Sequence, residues 1–261
     1  MKKIYAVVNF LVVVLVILWN YWSNTGVING NTVGQVSDKY SNLFTPADYA
    51  FSIWGLIFLG LLILTGNQLR LAFDSKKSGE SILQIGPWLT VANIGNGLWL
   101  WFWLNEEIGI TVIIMLVILF SLIMIILRTN MERWNAPFEV IAFVWWPICL
   151  YSGWIAVATI SNITVWLTTT QWNPTLTDVQ WTMIAISLAG ILNLFMIYTR
   201  NMREFAGVGV WALIAIAVRH WETIPELKWC ALTWTVVLLI ATGVHGYKNR
   251  KTNPLYRWFS S

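Results

Sequence analysis

The sequence predicts an all-α integral membrane protein, a helical bundle of about eight transmembrane helices. The first observation behind this prediction is composition: 57% of the 261 residues are hydrophobic and only 11% are charged, with a mean hydropathy of +0.65. Soluble domains carry about 25% charged residues. This composition excludes a soluble globular fold, a disordered chain and a nucleic-acid partner, despite the net charge of +4. The other two observations are the spacing of apolar runs and the distribution of basic residues.

A membrane-spanning helix needs about 20 mostly apolar residues, and short polar stretches separate eight such runs. The seventh run is the shortest and ends in Arg219-His220-Trp221-Glu222, so seven spans is the alternative count. The predicted spans are 4–22, 46–69, 86–104, 108–127, 139–167, 181–199, 206–221 and 229–247.

The first run begins with two lysines and resembles a signal peptide. However, the stretch 19–24 that follows it has aromatic and polar residues and no small-residue cleavage site. We therefore expect this run to remain as the first helix. The loop 23–45 is rich in Asn, Gly, Ser and Thr. It is too short to form a core of its own, so we expect it to be ordered over the bundle.

Basic residues are distributed unequally between the two sides of the predicted bundle. With eight spans, only Lys39, Arg219 and Lys228 fall on one side. The positive-inside rule then predicts a multi-pass protein of the cytoplasmic membrane with both termini in the cytoplasm. The thirteen basic residues on the other side are Lys2, Lys3, Arg70, Lys76, Lys77, Arg128, Arg133, Arg200, Arg203, Lys248, Arg250, Lys251 and Arg257.

The spans carry no ladder of acidic or histidine residues, no arginine row and no mid-span lysine, which disfavours ion pumping. No hydrolase, P-loop or metalloprotease motif is present, and no acid–base pair falls within the membrane. The sequence therefore disfavours a conventional enzyme. Cys149 and Cys230 stand alone in apolar stretches, so we expect two small buried hydrophobic residues, no metal site and no required cofactor.

Tryptophan is unusually frequent, with 19 residues, and the two membrane interfaces explain only part of this number. Trp54, Trp99, Trp154 and Trp211 lie at depths that an interfacial belt does not explain. Their indole N–H groups need partners in hydrocarbon, and the polar edge of a flat ligand would supply them. Those near predicted span ends are Trp19, Trp22, Trp88, Trp166, Trp172, Trp181, Trp221 and Trp229.

Two spans combine tryptophan with amide side chains. At about 100° per residue, Asn96, Trp99 and Trp103 share one face of the third span, with Trp101 on the opposite face. Asparagine in this position has a simpler explanation, an interhelical hydrogen bond worth roughly 1 kcal/mol. The fifth span carries a similar stripe of Trp154, Ala158, Ser161 and Asn162.

Three segments carry a resemblance to a known family. FTPADYAFSIWGLIF (44–58), NIGNGLWLWFW (93–103) and GWIAVATISNITVWL (153–167) resemble motifs of the tryptophan-rich sensory proteins, also called translocator proteins. The motifs occur in the family's order on the expected spans. They differ in having one proline, Pro46, where the family often has two, and Leu100 rather than serine after Trp99.

The resemblance covers 1–167 and implies a translocator-like five-helix core with a pocket beneath the first loop, while 168–261 adds further transmembrane helices. Family members bind tetrapyrroles such as protoporphyrin and haem, and also sterol-like or drug-like molecules. The implied ligand-binding residues are Trp54, Asn96, Trp99, Trp154 and Ala158. Secondary candidates are Phe51, Asn93, Trp103 and Asn162. Ala158 has two open interpretations, space for a ligand and close helix packing.

Together these patterns favour a membrane-embedded binding protein, a sensor, regulator or carrier, for a tetrapyrrole or similar flat apolar ligand. The expected partners are the lipid bilayer and an apolar small molecule, with a monomer and a homodimer both left open. Two alternatives remain. One is a small transporter of apolar metabolites or lipids, in which the last three helices complete a pathway. The other is a membrane enzyme that modifies a porphyrin or another pigment.

Overall fold

The computed structural model describes residues 1–40, 42–75, 78–170 and 175–249, and every regular element in these ranges is helical. Six residues named in the sequence-based predictions lie outside the described residues: Lys76, Lys77, Trp172, Arg250, Lys251 and Arg257. The helices are α1 (Lys2–Trp22), α2 (Val33–Lys39), α3 (Ile53–Phe73), α4 (Glu80–Ile85), α5 (Trp88–Leu104), α6 (Ile108–Arg128), α7 (Phe138–Val140), α8 (Trp146–Thr169), α9 (Asp178–Arg200), α10 (Arg203–Arg219) and α11 (Pro225–Lys248).

Each of the eight predicted spans corresponds to a helix, and the prediction of a helical membrane bundle is confirmed. Six helical stretches among the described residues are long and apolar enough to cross a membrane. The other two, α5 and α10, have 17 residues each. At about 1.5 Å per residue they reach roughly 25 Å, the short end of what a bilayer requires. The protein is therefore a multi-pass membrane protein.

The helices pack around α8, which contacts α3, α6 and α10. The helix α1 packs against α3 and α5, whereas α9 and α11 pack against α10 and each other. Large apolar side chains such as Leu59, Ile113 and Phe195 are more than half exposed on the outer faces of their helices. Such faces are stable against lipid rather than water, which agrees with a bundle inside a bilayer.

The bundle has two ends of different character. At one end, which we name the basic end, Arg70 pairs with Glu139 at 3.3 Å and Arg128 Nε donates to the carbonyl of Gln84 at 2.8 Å. The other end carries α2 and the segment 42–52, which together we name the lid. The described parts of the loop after the first helix, 23–40 and 42–45, are thus ordered over the bundle, as predicted.

The lid begins with a well-formed short helix. Thr32 and Gln35 form a capping box at the start of α2, in which Thr32 Oγ1 accepts from the Gln35 amide and Gln35 Oε1 accepts from the Thr32 amide. Glu106, in the turn between α5 and α6, fastens the other end of α2. Its Oε2 accepts from Lys39 Nζ at 2.5 Å and from the Tyr40 hydroxyl at 2.6 Å.

Candidate functional site

A small cavity lies in the middle of the bundle, directly beneath the lid. Its volume is about 60 Å³, and α3, α5, α6, α8, α10 and the lid all contribute side chains to its wall. Eight of the nine ligand-binding residues that the sequence predicts line this one cavity: Phe51, Trp54, Asn96, Trp99, Trp103, Trp154, Ala158 and Asn162. Asn93 does not line it, because its amide is buried and donates to the Leu89 carbonyl of its own helix at 2.9 Å.

The wall formed by α5 is an indole pair. Trp99 and Trp103 stack with ring centroids 5.1 Å apart and planes 18° apart, while Trp101 on the opposite face is 45% exposed. Trp99 Nε1 donates to Asn162 Oδ1 at 3.1 Å, and Asn162 Nδ2 donates to Thr111 Oγ1 at 3.0 Å. Asn162 therefore positions the Trp99 ring from across the cavity.

The facing wall contains two further tryptophans. Trp54 stacks on Phe58 at 5.2 Å, and Trp154 meets the edge of Phe51 at 6.1 Å. Trp54 lies in the first turn of α3 rather than two turns into it, because residues Asp48–Ser52 form a separate 3-10 helix. Within the described part of the chain, neither the Trp54 nor the Trp154 indole N–H forms a hydrogen bond.

The other two deep tryptophans differ in this respect. Trp99 bonds to Asn162, as described above, and Trp211 Nε1 donates to the Ala50 carbonyl at 3.1 Å. The expectation that such indoles need partners is therefore met by the protein itself for these two. Of the four deep tryptophans, Trp54 and Trp154 are the two whose indole N–H has no hydrogen-bond partner among the described residues.

A wider groove adjoins the cavity between α1, α3 and the lid. Its volume is about 760 Å³, and five of its lining residues also line the cavity: Val33, Phe51, Trp54, Asn96 and Trp99. Asn96 is 3% exposed, and its Oδ1 accepts from Asn20 Nδ2 of α1 at 3.1 Å. The boundary between cavity and groove is therefore formed by two indoles, one amide and the apolar side chains of Val33 and Phe51.

Several wall residues have no counterpart in the sequence analysis. Val33, Ser37, Phe44 and Pro46 of the lid form the ceiling of the cavity. Met115 and Ile118 of α6 and Ala212 and Ile216 of α10 complete the sides. Phe44 and Pro46 fall within the 44–58 motif described above. No local signal marks the other residues of this set, since comparable side chains occur throughout the chain. The cavity thus draws on residues both before and after position 167.

The helix α10 is also bonded to the lid. The Ala47 amide donates to the Ala215 carbonyl at 3.1 Å, and Arg219 Nη1 donates to the Pro46 carbonyl at 3.5 Å. His220 Nε2 lies 2.7 Å from the Leu43 carbonyl oxygen. Because a carbonyl can only accept, the proton of a neutral His220 resides on Nε2. The lid is consequently fixed between α10 and Glu106.

The residues that line the cavity are suited to binding a ligand. Among the described lining residues, the polar groups are hydroxyls, amides and indole N–H groups, and none of the side chains titrates near neutral pH. The wall can stack on a flat ring, donate hydrogen bonds to it and exclude water. It provides no general acid or base.

Comparison with known proteins identifies the chain at the level of a family. No curated protein and no solved structure matches it. The model of one family, described as TSPO-like protein, matches residues 6–244, which extends from α1 into α11. This relationship indicates a membrane-embedded ligand-binding or sensor role in general terms. The chain belongs to the family of TSPO-like proteins.

Proposed function

We propose that the protein binds a tetrapyrrole, or a similar flat apolar ligand with a polar edge, as a membrane sensor or carrier. The observation that supports this most directly is that the indole N–H groups of Trp54 and Trp154 have no partner among the described residues. Both lie on a cavity wall that carries four other aromatic rings. A ligand with oxygen or nitrogen acceptors at its edge can accept hydrogen bonds from these two N–H groups while its rings stack on the surrounding aromatic side chains.

The volumes indicate where such a ligand would lie. The cavity, at about 60 Å³, is far below the roughly 300–1,000 Å³ of pockets for drug-sized ligands. The adjoining groove, at about 760 Å³, is within that range. We therefore place most of the ligand in the groove and its polar edge in the cavity. Trp54, Asn96 and Trp99 line both spaces, so ligand entry requires their side chains to move.

The test is a titration of the purified protein with protoporphyrin, followed by tryptophan quenching and by porphyrin absorbance. Trp54→Phe and Trp154→Phe retain an aromatic ring but remove the N–H donor. Losing one hydrogen bond of about 0.5–1.5 kcal/mol raises Kd roughly 2- to 10-fold, and we expect the double variant to combine the two losses.

The matched control is Trp229→Phe, because Trp229 is 62% exposed at the start of α11 and lines neither space. It should leave Kd unchanged. Saturable binding that is equally tight in wild type and in the Trp54/Trp154 double variant contradicts the assignment of these residues. The absence of saturable binding to the wild type contradicts the ligand class.

A further inference from the structure

A second cluster of polar groups lies at the basic end, away from the aromatic cavity. It brings together Glu132 from the loop after α6, Cys149 from the start of α8 and Glu204 from the first turn of α10. The thiol and one oxygen of each carboxylate all lie within 4.8 Å of one another. Residues so far apart in the chain form no local ligand motif, which is why sequence spacing indicates no metal site here.

The backbone fixes the position of Glu132. Its φ is +59°, a left-handed value that is unfavourable for a residue other than glycine. Asn201, at the turn between α9 and α10, donates through Nδ2 to the Glu132 carbonyl at 2.8 Å. This bond connects the loop to the turn that precedes Glu204. The two carboxylates are thus brought together by the fold and are not flexible surface groups.

The two carboxylates have no direct ion-pair partner. Neither forms an ion pair within the described residues, although Arg203 lines the same cavity, and Glu204 Oε2 is buried without a hydrogen-bond partner. Two adjacent, partly buried acids without a direct ion-pair partner are destabilising. A bound cation would reduce this cost.

The surroundings of the cluster also suit a ligand. Glu132 and Glu204 line a cavity of about 530 Å³ at the basic end. Trp145 lines the same cavity, is 2% exposed, and its buried indole N–H has no partner. This donor could bond to a water molecule or other oxygen ligand on a cation. The Cys149 thiol is fully buried, with Sγ 3.9 Å from Met131 Sδ.

We propose that Glu132, Cys149 and Glu204 form a binding site for a divalent cation of the zinc type, with an open coordination position toward this cavity. Zn²⁺ accepts sulfur and carboxylate oxygen together, whereas Mg²⁺ and Ca²⁺ prefer oxygen alone. Ligand atoms on tetrahedral zinc are about 3.3–3.8 Å apart, given bond lengths of about 2.0–2.3 Å. Side-chain movements of roughly 1 Å therefore complete the site. On binding, the thiol and any protonated carboxyl group release their protons to solvent.

Such a cation would connect the loop after α6 to α8 and α10. These two helices also carry Trp154 and Ala212 of the aromatic cavity, yet no residue is shared between the two sites. The cation site is therefore independent of the proposed ligand, and either proposal can fail alone.

The test is a titration of the metal-free, full-length protein with Zn²⁺ alone, using a chromogenic chelator as competitor. We expect one equivalent of Zn²⁺ to bind, with Kd at least tenfold higher in Cys149→Ser and in Glu204→Gln, since even outer-shell changes cost about 10- to 100-fold in metal affinity. Co²⁺ bound in place of Zn²⁺ should show a thiolate-to-cobalt absorption band that Cys149→Ser abolishes. Mg²⁺ at the same concentration should not compete.

Two control variants are matched to the ligands. Cys230→Ser changes the other cysteine, and Glu139→Gln changes an exposed carboxylate at the same end that pairs with Arg70. Both should bind Zn²⁺ as the wild type does. Circular dichroism and gel filtration report whether each variant is folded. Failure of the wild type to bind Zn²⁺, or unchanged binding and cobalt spectrum in a folded Cys149→Ser protein, overturns the proposal.

Discussion

Glu106 is a single residue on which the position of the lid helix depends. Its carboxylate accepts from Lys39, Tyr40 and, at 3.3 Å, from Asn31 Nδ2. The hydrogen bonds from Lys39 and then Tyr40 lower the pKa of Glu106 below its ordinary value of 4.5. A depressed carboxyl pKa contributes stability that is present above the ordinary value and is lost as pH falls through the folded value.

We expect Glu106→Gln to loosen α2 at neutral pH without unfolding the bundle. Hydrogen exchange of a peptide covering 33–40 should be faster in the variant than in wild type at pH 7. The ratio of the two rates should approach one only as pH falls through the lowered pKa of Glu106. The control is Glu107→Gln, because Glu107 makes no side-chain bond to α2 among the described residues. Equal exchange of wild type and Glu106→Gln at pH 7 contradicts this role.

Patterns of residues along the sequence predicted the part of the candidate site that depends on local helix geometry. The shared face of Asn96, Trp99 and Trp103 follows from helical periodicity, which is a local property. In contrast, the bond from Trp99 to Asn162 joins two helices, and no local pattern contains it. Asn93 illustrates the opposite case, since its amide bonds within its own helix although its residue type suggested the cavity.

At the scale of elements, apolar run length was sufficient to find the long helices. The run 108–127 corresponds to α6, Ile108–Arg128, because any such run must satisfy its backbone internally in lipid. The short helix α2 was not predicted, since it depends on the Thr32–Gln35 capping box and on Glu106. The contribution of α10 to the cavity was also missed, because it results from helix packing rather than composition.

The packing of α8 against α10 depends on one glycine. A Cβ at Gly153 would lie 2.9 Å from the Phe205 carbonyl oxygen and 3.1 Å from Val208 Cβ. The carbonyl belongs to the backbone, so it can move only if α10 itself moves. Because Ala212 and Ile216 of α10 line the cavity, separation of these helices should affect both stability and binding.

We expect Gly153→Ala to lower the free energy of unfolding by about 1–3 kcal/mol, the usual cost of overpacking, and to weaken protoporphyrin binding. The matched control is Gly207→Ala within α10, where a Cβ would have no neighbour within 4 Å. It should be neutral, or stabilising by up to about 1 kcal/mol through helix propensity. Unfolding in mixed micelles with a denaturing detergent measures both variants. Equal stability of the two would show that this contact does not limit the approach of α10.

For the whole molecule, the distribution of charge predicts its orientation. The described basic residues that the sequence assigned to the cytoplasm lie at one end of the bundle, where Lys2, Arg70, Arg128 and Arg203 are found. Lys39, Arg219 and Lys228 lie at the lid end. Successive helices run in opposite directions between the two ends. One helix therefore cannot be reversed in the membrane unless all the other helices are reversed as well. We therefore propose that the basic end and both termini face the cytoplasm, since segments rich in Lys and Arg remain on that side.

Single cysteines at the two ends test this orientation in a Cys230→Ser background, in which the other native cysteine, Cys149, is fully buried. Thr25 lies at the lid end and Ser78 at the basic end, and both are exposed. In intact cells, a membrane-impermeant maleimide should label Thr25→Cys, and it should label Ser78→Cys only after the membrane is permeabilised. The reverse pattern would mean that the lid and its groove open toward the cytoplasm. A ligand would then reach the indoles from inside the cell, and the basic residues would not determine the orientation.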